Sequence, residues 1–365
     1  MFADKMKLNW GQRLYAGLTN VRERSQYGIP VIKNKSRWSL SAVGKKYDIF
    51  APVLMEGEGC FSDTDIIRYG KVNSLDEIEW NRKSDYSFKE VLLAINETLF
   101  YFTEDQTTVP KGPEKDILIF LRSCDLHAVK RLDQIYLQNG VEDFYYARVR
   151  ERAKFILMGC ESTCASGFCV SMGTNQSDNY DAYVKVDQDT VYMDVKCSQL
   201  NAEICAEAMT TEEIKVAEVT PDFVTENKEK VTLPKNLSNA SFTDEIWQEY
   251  GARCIKCGRC NFVCPTCTCF TMQDIFYRDN ANVGERRRVW ASCQIDGYTE
   301  MAGGHGFRKS QGDRMRFKVM HKIYDFEKRF GYPMCVGCGR CDDVCPEYIS
   351  YSNCVNRLAK EESES

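Results

Sequence analysis

The chain has 365 residues, 43% of them hydrophobic, a net charge of −5 and nineteen cysteines. That length holds two or three domains with cores of their own, so the cysteines are not needed to staple a miniature fold. The acidic balance gives no general case for nucleic-acid binding, and no apolar run reaches the ~18 residues of a membrane span. An odd thiol count at metal-type spacing points to reduced cysteines in a cytoplasm rather than to a disulfide framework. The first residues lack the apolar core of a secretory signal.

In chain order, residues 1–46 are strongly basic, with ten Lys/Arg against two Asp/Glu. They read as a solvated extension or a partner-docking arm. An α/β domain is expected over 47–217. Within it Phe88, Val91, Leu92, Ile95 and Leu99 fall at helical spacing. Ile117–Leu121 and Phe155–Met158 read as buried strands, with a helical stripe (Leu126, Val129, Leu132) between them, hence a βαβ unit. Cys124 and Cys160 then leave the carboxyl ends of strands, where open α/β sheets place their sites. A helix N-terminus beside Cys124 favours its thiolate. Residues 181–195 alternate as a hairpin turning at Asp187-Gln-Asp189. Residues 218–247 read as a polar linker, 248–358 as a dicluster domain with a long insert at 265–334, and 359–365 as a disordered acidic tail.

The strongest signal is a cysteine run present twice: Cys254-x2-Cys257-x2-Cys260-x3-Cys264-Pro and Cys335-x2-Cys338-x2-Cys341-x3-Cys345-Pro. In bacterial ferredoxins this cadence binds [4Fe–4S] clusters, and the fourth cysteine of each run serves the other cluster. Cys254, Cys257, Cys260 and Cys345 are therefore expected on one cluster. Cys335, Cys338, Cys341 and Cys264 are expected on the second. Gly258, Gly337 and Gly339 stand where the backbone passes close to inorganic sulfide. Zinc sites prefer paired C-x2-C knuckles to this four-cysteine cadence. The fold class is thus an α/β N-terminal domain followed by an α-helical ferredoxin-like domain carrying two [4Fe–4S] clusters.

Cys160-x3-Cys164-x4-Cys169 is a loop-borne triplet. With Cys124 it has the four thiolates of a third [4Fe–4S] cluster, Cys293 being a rival to Cys164. The alternative is that these are small buried hydrophobes. Cys267 and Cys269 lie beside cluster ligands, as packing groups or a redox pair, and Cys60, Cys197, Cys205 and Cys354 read as packing. None of His127, His305 and His321 has ligand spacing to another histidine. Met301–Arg308 is glycine-rich, a tight turn or an anion contact beside Arg286, Arg287 and Arg288. The Lys and Arg side chains of 286–329 are expected to dock an electron-transfer partner. There is no P-loop and no dinucleotide fingerprint, so the chain is not expected to take hydride from NAD(P)H, and no acid–base constellation marks a catalytic residue.

Ser123-Cys-Asp-Leu126, Phe168–Thr174, Cys264-Pro-Thr-Cys-Thr-Cys269, Trp290-Ala-Ser-Cys293, Met301–Arg308 and Cys335–Cys341 together resemble the A subunit of anaerobic sulfite reductase. The broader family includes the beta subunit of sulfhydrogenases. The resemblance covers about 47–358. It implies an electron-transfer subunit of an NADH-dependent oxidoreductase complex. An NADH-oxidising flavoprotein B subunit and a siroheme C subunit that reduces sulfite to sulfide would be its partners, without nucleic acid or membrane, in an anaerobic cytoplasm. The alternative is the equivalent subunit of a sulfhydrogenase-type complex. A siroheme catalytic subunit is a further one, since Cys254, Cys260 and Cys264 meet a C-x5-C and C-x3-C spacing incidentally.

Overall fold

Continuous apolar strands need cover on both faces, and the chain provides it. The computed structural model describes residues 30–33, 40–59, 63–187, 190–198, 200, 215–216, 220–235, 237 and 245–364. Among these, one sheet contains β1 (Pro30–Lys33), β2 (Tyr47–Met55), β3 (Ile66–Lys71), β6 (Asp116–Leu121), β7 (Ala153–Met158), β8 (Ala182–Asp187), β9 (Thr190–Val195) and β10 (Lys215–Val216). Its order is β10-β1-β9-β8-β7-β6-β2-β3. The centre, β2-β6-β7-β8, is parallel, and β8–β9 is the expected hairpin, its turn at 188–189 lying outside the described residues.

β6 crosses to β7 through α3 (Ser123–Leu137) and α4 (Phe144–Arg150). Asp143 caps α4, accepting from the Tyr146 backbone N–H at 2.8 Å and meeting one of the helix's orphan donors. One core cluster on the sheet joins Tyr47, Phe120 and Met193; a second joins Ile119, Leu126, Leu132 and Tyr146. The βαβ reading of 117–158 therefore describes the centre of the sheet.

The helix expected from Phe88 to Leu99 is confined to α2 (Lys89–Leu92). Asn96–Phe102 is a strand, β4. It joins β5 (Thr107–Thr108), β11 (Phe270–Tyr277) and β12 (Asn280–Trp290) in a sheet ordered β11-β12-β4-β5. The run Thr98-Leu-Phe-Tyr-Phe102 suits a strand, and pairing with β12, from Val289↔Asn96 to Gly284↔Phe102, prevails over the helical spacing. The first part of the expected insert is thus shared with the N-terminal half.

In the remainder, α5 (Ile246–Arg253), α7 (Gln311–Met320), a π-turn at His321–Asp325, α8 (Phe326–Phe330) and α10 (Tyr351–Glu364) surround a third core of Trp247, Met315, Val319, Tyr351 and Leu358. The acidic tail expected to be disordered continues α10 to Glu364, because the helix's buried stripe anchors it; Ser365 lies outside the described residues. The expected linker is anchored at points: Asn227 and Val231 are buried, and Asn227 accepts from the Val170 N–H at 2.7 Å. Most of the basic extension lies outside the described residues, whereas β1 pairs with β9 inside the sheet.

A fully buried ion pair is among the charged contacts that join the two halves. Arg340, in the short helix α9 (Arg340–Asp343), donates to Asp125 on α3 at 2.8 and 3.1 Å, and both side chains are 1% exposed. Ser84 supplies its carbonyl and hydroxyl to the rest of the guanidinium. Removing one partner strands a buried charge, which costs about 3–5 kcal/mol. Arg340→Met should lower the unfolding free energy of the protein by that amount in a denaturant titration. A loss under about 1 kcal/mol would mean that the pair does not hold the halves together.

Candidate metal centre

The two cysteine runs have the same backbone. Lys256 and Gly258 take φ of 63° and 75°, and Gly337 and Gly339 at the matching places take 63° and 73°. After each second left-handed residue a single helical turn begins, α6 (Arg259–Phe262) and α9, carrying Cys260 and Cys341. This conformation and the protein neighbours both call for glycine. A Cβ on Gly339 would stand 2.3 Å from the Ser166 carbonyl oxygen, and one on Gly337 would stand 2.6 Å from that of Phe168.

Two cavities follow. One is lined by Cys254, Cys257, Cys260 and Cys345. The other is lined by Cys264, Cys335 and Cys338. Cys341, Lys318 and Tyr351 line both. The thiols of each cavity are drawn from both runs, five around the first and four around the second, with Cys341 shared. Among the described residues no group of three or more His, Cys, Asp or Glu is arranged to hold a single ion; the thiols stand around a space instead. Tyr351 Oη is buried on the wall between the cavities and has no hydrogen-bond partner among the described residues, a donor that a sulfur-rich group would satisfy. Donor chemistry, backbone and this orphaned hydroxyl all fit a [4Fe–4S] cluster in each cavity.

The buried cations around the thiols could not be assigned from spacing. Lys318 and Lys322 are both 4% exposed. Burial opposes the Lys318 charge, but the neighbouring Cys260 and Cys341 outweigh it and hold its pKa well above the lysine range. Lys322 donates to Thr266 Oγ1 at 2.7 Å and is also pushed up, by Cys264 and Cys267 against the effect of burial. Lys83 donates to the Cys338 carbonyl at 2.7 Å and pairs with Asp343. Among the basic residues expected to dock a partner, Arg288 is buried against Glu97 and Asp143, while Arg286 and Arg287 pair with Asp274 and Glu285 and keep partial exposure.

The 160–174 loop lies against the second run. Phe168 N–H donates to the Gly337 carbonyl at 2.7 Å and Thr174 Oγ1 to that of Val336 at 2.7 Å. Cys160, Cys164 and Cys169 lie within electrostatic reach of one another, and Cys124 within that of Cys169 and Cys338. Arg122 donates to Cys160 Sγ at 3.5 Å and Asn227 to Cys169 Sγ at 3.6 Å. Cys124 stands in the first turn of α3, yet burial and the adjoining Asp125 push its thiol well up, contrary to the thiolate expected from the helix end.

Cys293, the rival ligand for that loop, sits elsewhere. Its thiol accepts from Asn261 Nδ2 at 3.0 Å and is hydrogen-bonded to Cys269. That bond, with Gln294 and Asn261, outweighs burial and draws Cys293 down to about 6, while Cys269 is pushed up by the same contact. Met301–Arg308 is a tight turn, closed by Met301 N–H to the His305 carbonyl at 2.8 Å. His127 meets the Gln176 carbonyl, and burial lowers His321 to about 4. Cys60 and Cys205 lie outside the described residues.

A family model described as a 4Fe-4S dicluster domain matches residues 253–349. The chain is 30% identical over 303 residues to sulfhydrogenase 2 subunit beta of Pyrococcus furiosus, which spans 80% of this chain and 88% of the relative. No solved structure matches.

Gly331 has φ 83° with open space around it, so Gly331→Ala carries backbone strain of about 1–2 kcal/mol and little else. Gly339→Ala adds the collision with Ser166 and should unfold at a distinctly lower denaturant concentration. Equal midpoints would show that the 166–168 loop yields without cost.

Proposed function

Because the chain belongs to the sulfhydrogenase beta-subunit family, we propose that it is the iron–sulfur electron-transfer subunit of a multisubunit oxidoreductase. The observation that carries this reading is the pair of thiol-lined cavities, fed by both cysteine runs, that share Lys318, Tyr351 and Cys341 on their walls. In this reading Cys254, Cys257, Cys260 and Cys345 hold one [4Fe–4S] cluster and Cys264, Cys335, Cys338 and Cys341 the other. Cys124, Cys160, Cys164 and Cys169 hold a third, with Arg122 and Asn227 donating to its sulfurs. Bound clusters of this type supply one-electron transfer.

The protein's part is to hold the thiolates, exclude water and set the field. A buried ammonium favours added negative charge nearby, so Lys318 raises both reduction potentials and draws the two sites together. The catalytic partner is proposed to be of the sulfhydrogenase type. A second reading, the electron-transfer subunit of an anaerobic sulfite reductase with flavoprotein and siroheme partners, is favoured by the ordered motifs from Ser123 to Cys341. Recovery of the native complex separates them: nickel and iron in the copurifying subunit support the first, a siroheme band the second.

Iron and acid-labile sulfide of the anaerobically purified chain should be about twelve each. About eight would leave the thiols near Cys160 structural, and zinc in place of iron would sink the electron-transfer reading. Cys345→Ser should remove the cluster signal belonging to Cys254, Cys257 and Cys260. If only the Cys335–Cys341 cluster is lost, the cross-run assignment is wrong. Lys318→Met should lower the midpoint potentials of both clusters in an EPR-monitored titration, by at least the ~59 mV that equals a tenfold change in a one-electron ratio. Unmoved potentials would reduce Lys318 to a packing residue.

A further inference from the structure

Cys269 and Cys293 stand outside both proposed ligand sets, and chain topology brings them together. Cys269 immediately precedes β11, and its carbonyl accepts from Ala291 N–H at 3.0 Å just beyond the Phe270↔Trp290 pair. Cys293 follows two residues beyond Ala291, past the end of the ladder, and its thiol shares a hydrogen bond with that of Cys269. Cys293 is 4% and Asn261 1% exposed, and Cys269 is half-buried. Asn261 joins it to the proposed ligands, since its amide nitrogen donates to Cys293 Sγ at 3.0 Å and its carbonyl oxygen takes Cys267 at 3.6 Å and Cys260 at 3.9 Å. Lys89 clamps the segment from the other side, donating to the Cys267 carbonyl at 2.9 Å beneath the Trp290 ring.

We propose that Cys269 and Cys293 form a redox-active dithiol that stores two electrons beside the first cluster run. Closing the pair forms one S–S bond, breaks two S–H bonds and releases two electrons and two protons. Reopening it takes two electrons, delivered singly by adjoining low-potential iron–sulfur donors, and two protons from water. Sulfurs already in hydrogen-bonding contact need only a local shift to reach the bond length of about 2.05 Å. Such a pair links carriers that move one electron to partners that exchange two. The inference rests on the electron-transfer reading above.

The test uses the full chain with its iron, poised anaerobically at a series of potentials and quenched with N-ethylmaleimide in denaturant. At oxidising potentials the peptides of Cys269 and Cys293 should be recovered cross-linked to each other; after reduction both should be capped. Cys293→Ser should take up two electrons fewer per chain in a coulometric titration, with iron and sulfide unchanged. Capping of both thiols at every potential overturns the proposal, as does a cross-link to Cys267 instead. Loss of iron from Cys293→Ser also overturns it, by making Cys293 a ligand. Failure of the underlying reading would appear separately, as wild-type protein without iron, sulfide or a reduced-cluster EPR signal.

Discussion

The contact between Arg340 and Asp125 organises the rest of the molecule. Each charge neighbours a cysteine: Arg340 precedes Cys341 in the second run, and Asp125 follows Cys124 at the head of α3. An ion pair 1% exposed on both sides survives only when every donor is met, because desolvation costs several kcal/mol per ion. Ser84 accepts from two further N–H groups of the guanidinium. The register of the cysteine run against the βαβ unit is therefore set by directional bonds, where apolar packing alone would tolerate sliding. The 160–174 loop then has a single seat, with the Phe168 N–H on the Gly337 carbonyl.

Around this joint the charge distribution departs from the chain's net −5. Lys318, Lys322, Arg122 and Arg340 are buried among thiols, and Lys83 lies against Cys338. An ammonium or guanidinium removed from water needs an anionic neighbour to remain charged. In the proposed electron-transfer reading, thiolate sets carrying clusters would supply one, so that cation and ligand sustain each other. The arrangement explains why the central helix of the C-terminal half carries lysines on its buried side at Lys318 and Lys322, a pattern that is costly in an ordinary core.

The parts legible in the sequence are those with a short-range physical code. The apolar runs of β6 and β7 disclose buried strands, the stripe between them discloses α3, and the repeated cysteine cadence discloses two loops of one conformation. What escaped depends on partners distant in sequence. Asn96–Phe102 reads as helix until β12 lies beside it. Asn227 sits in a stretch polar enough for a linker, yet it is buried and donates to Cys169 Sγ. Charged side chains carry no sign of direction either: Lys318 and Arg286 look alike in the chain, but one faces two thiol cavities and the other pairs with Asp274 on an exposed hairpin.

The strand pairing between β4 and β12 also has a consequence in time. During synthesis β4 emerges early, while its partner Gly284–Val289 is made only after the first cysteine run. Pairing of this kind is high in contact order, and the loop must close before the contact compensates its entropy. Until then β4 keeps an open edge bearing Phe100, Tyr101 and Phe102, the sort of edge that invites association with other chains. The segment that closes the sheet, β11–β12, leaves directly from Cys264–Cys269. Completion of this four-stranded sheet therefore has to wait until the first cysteine run has been made, and chains arrested before it present an unfinished edge.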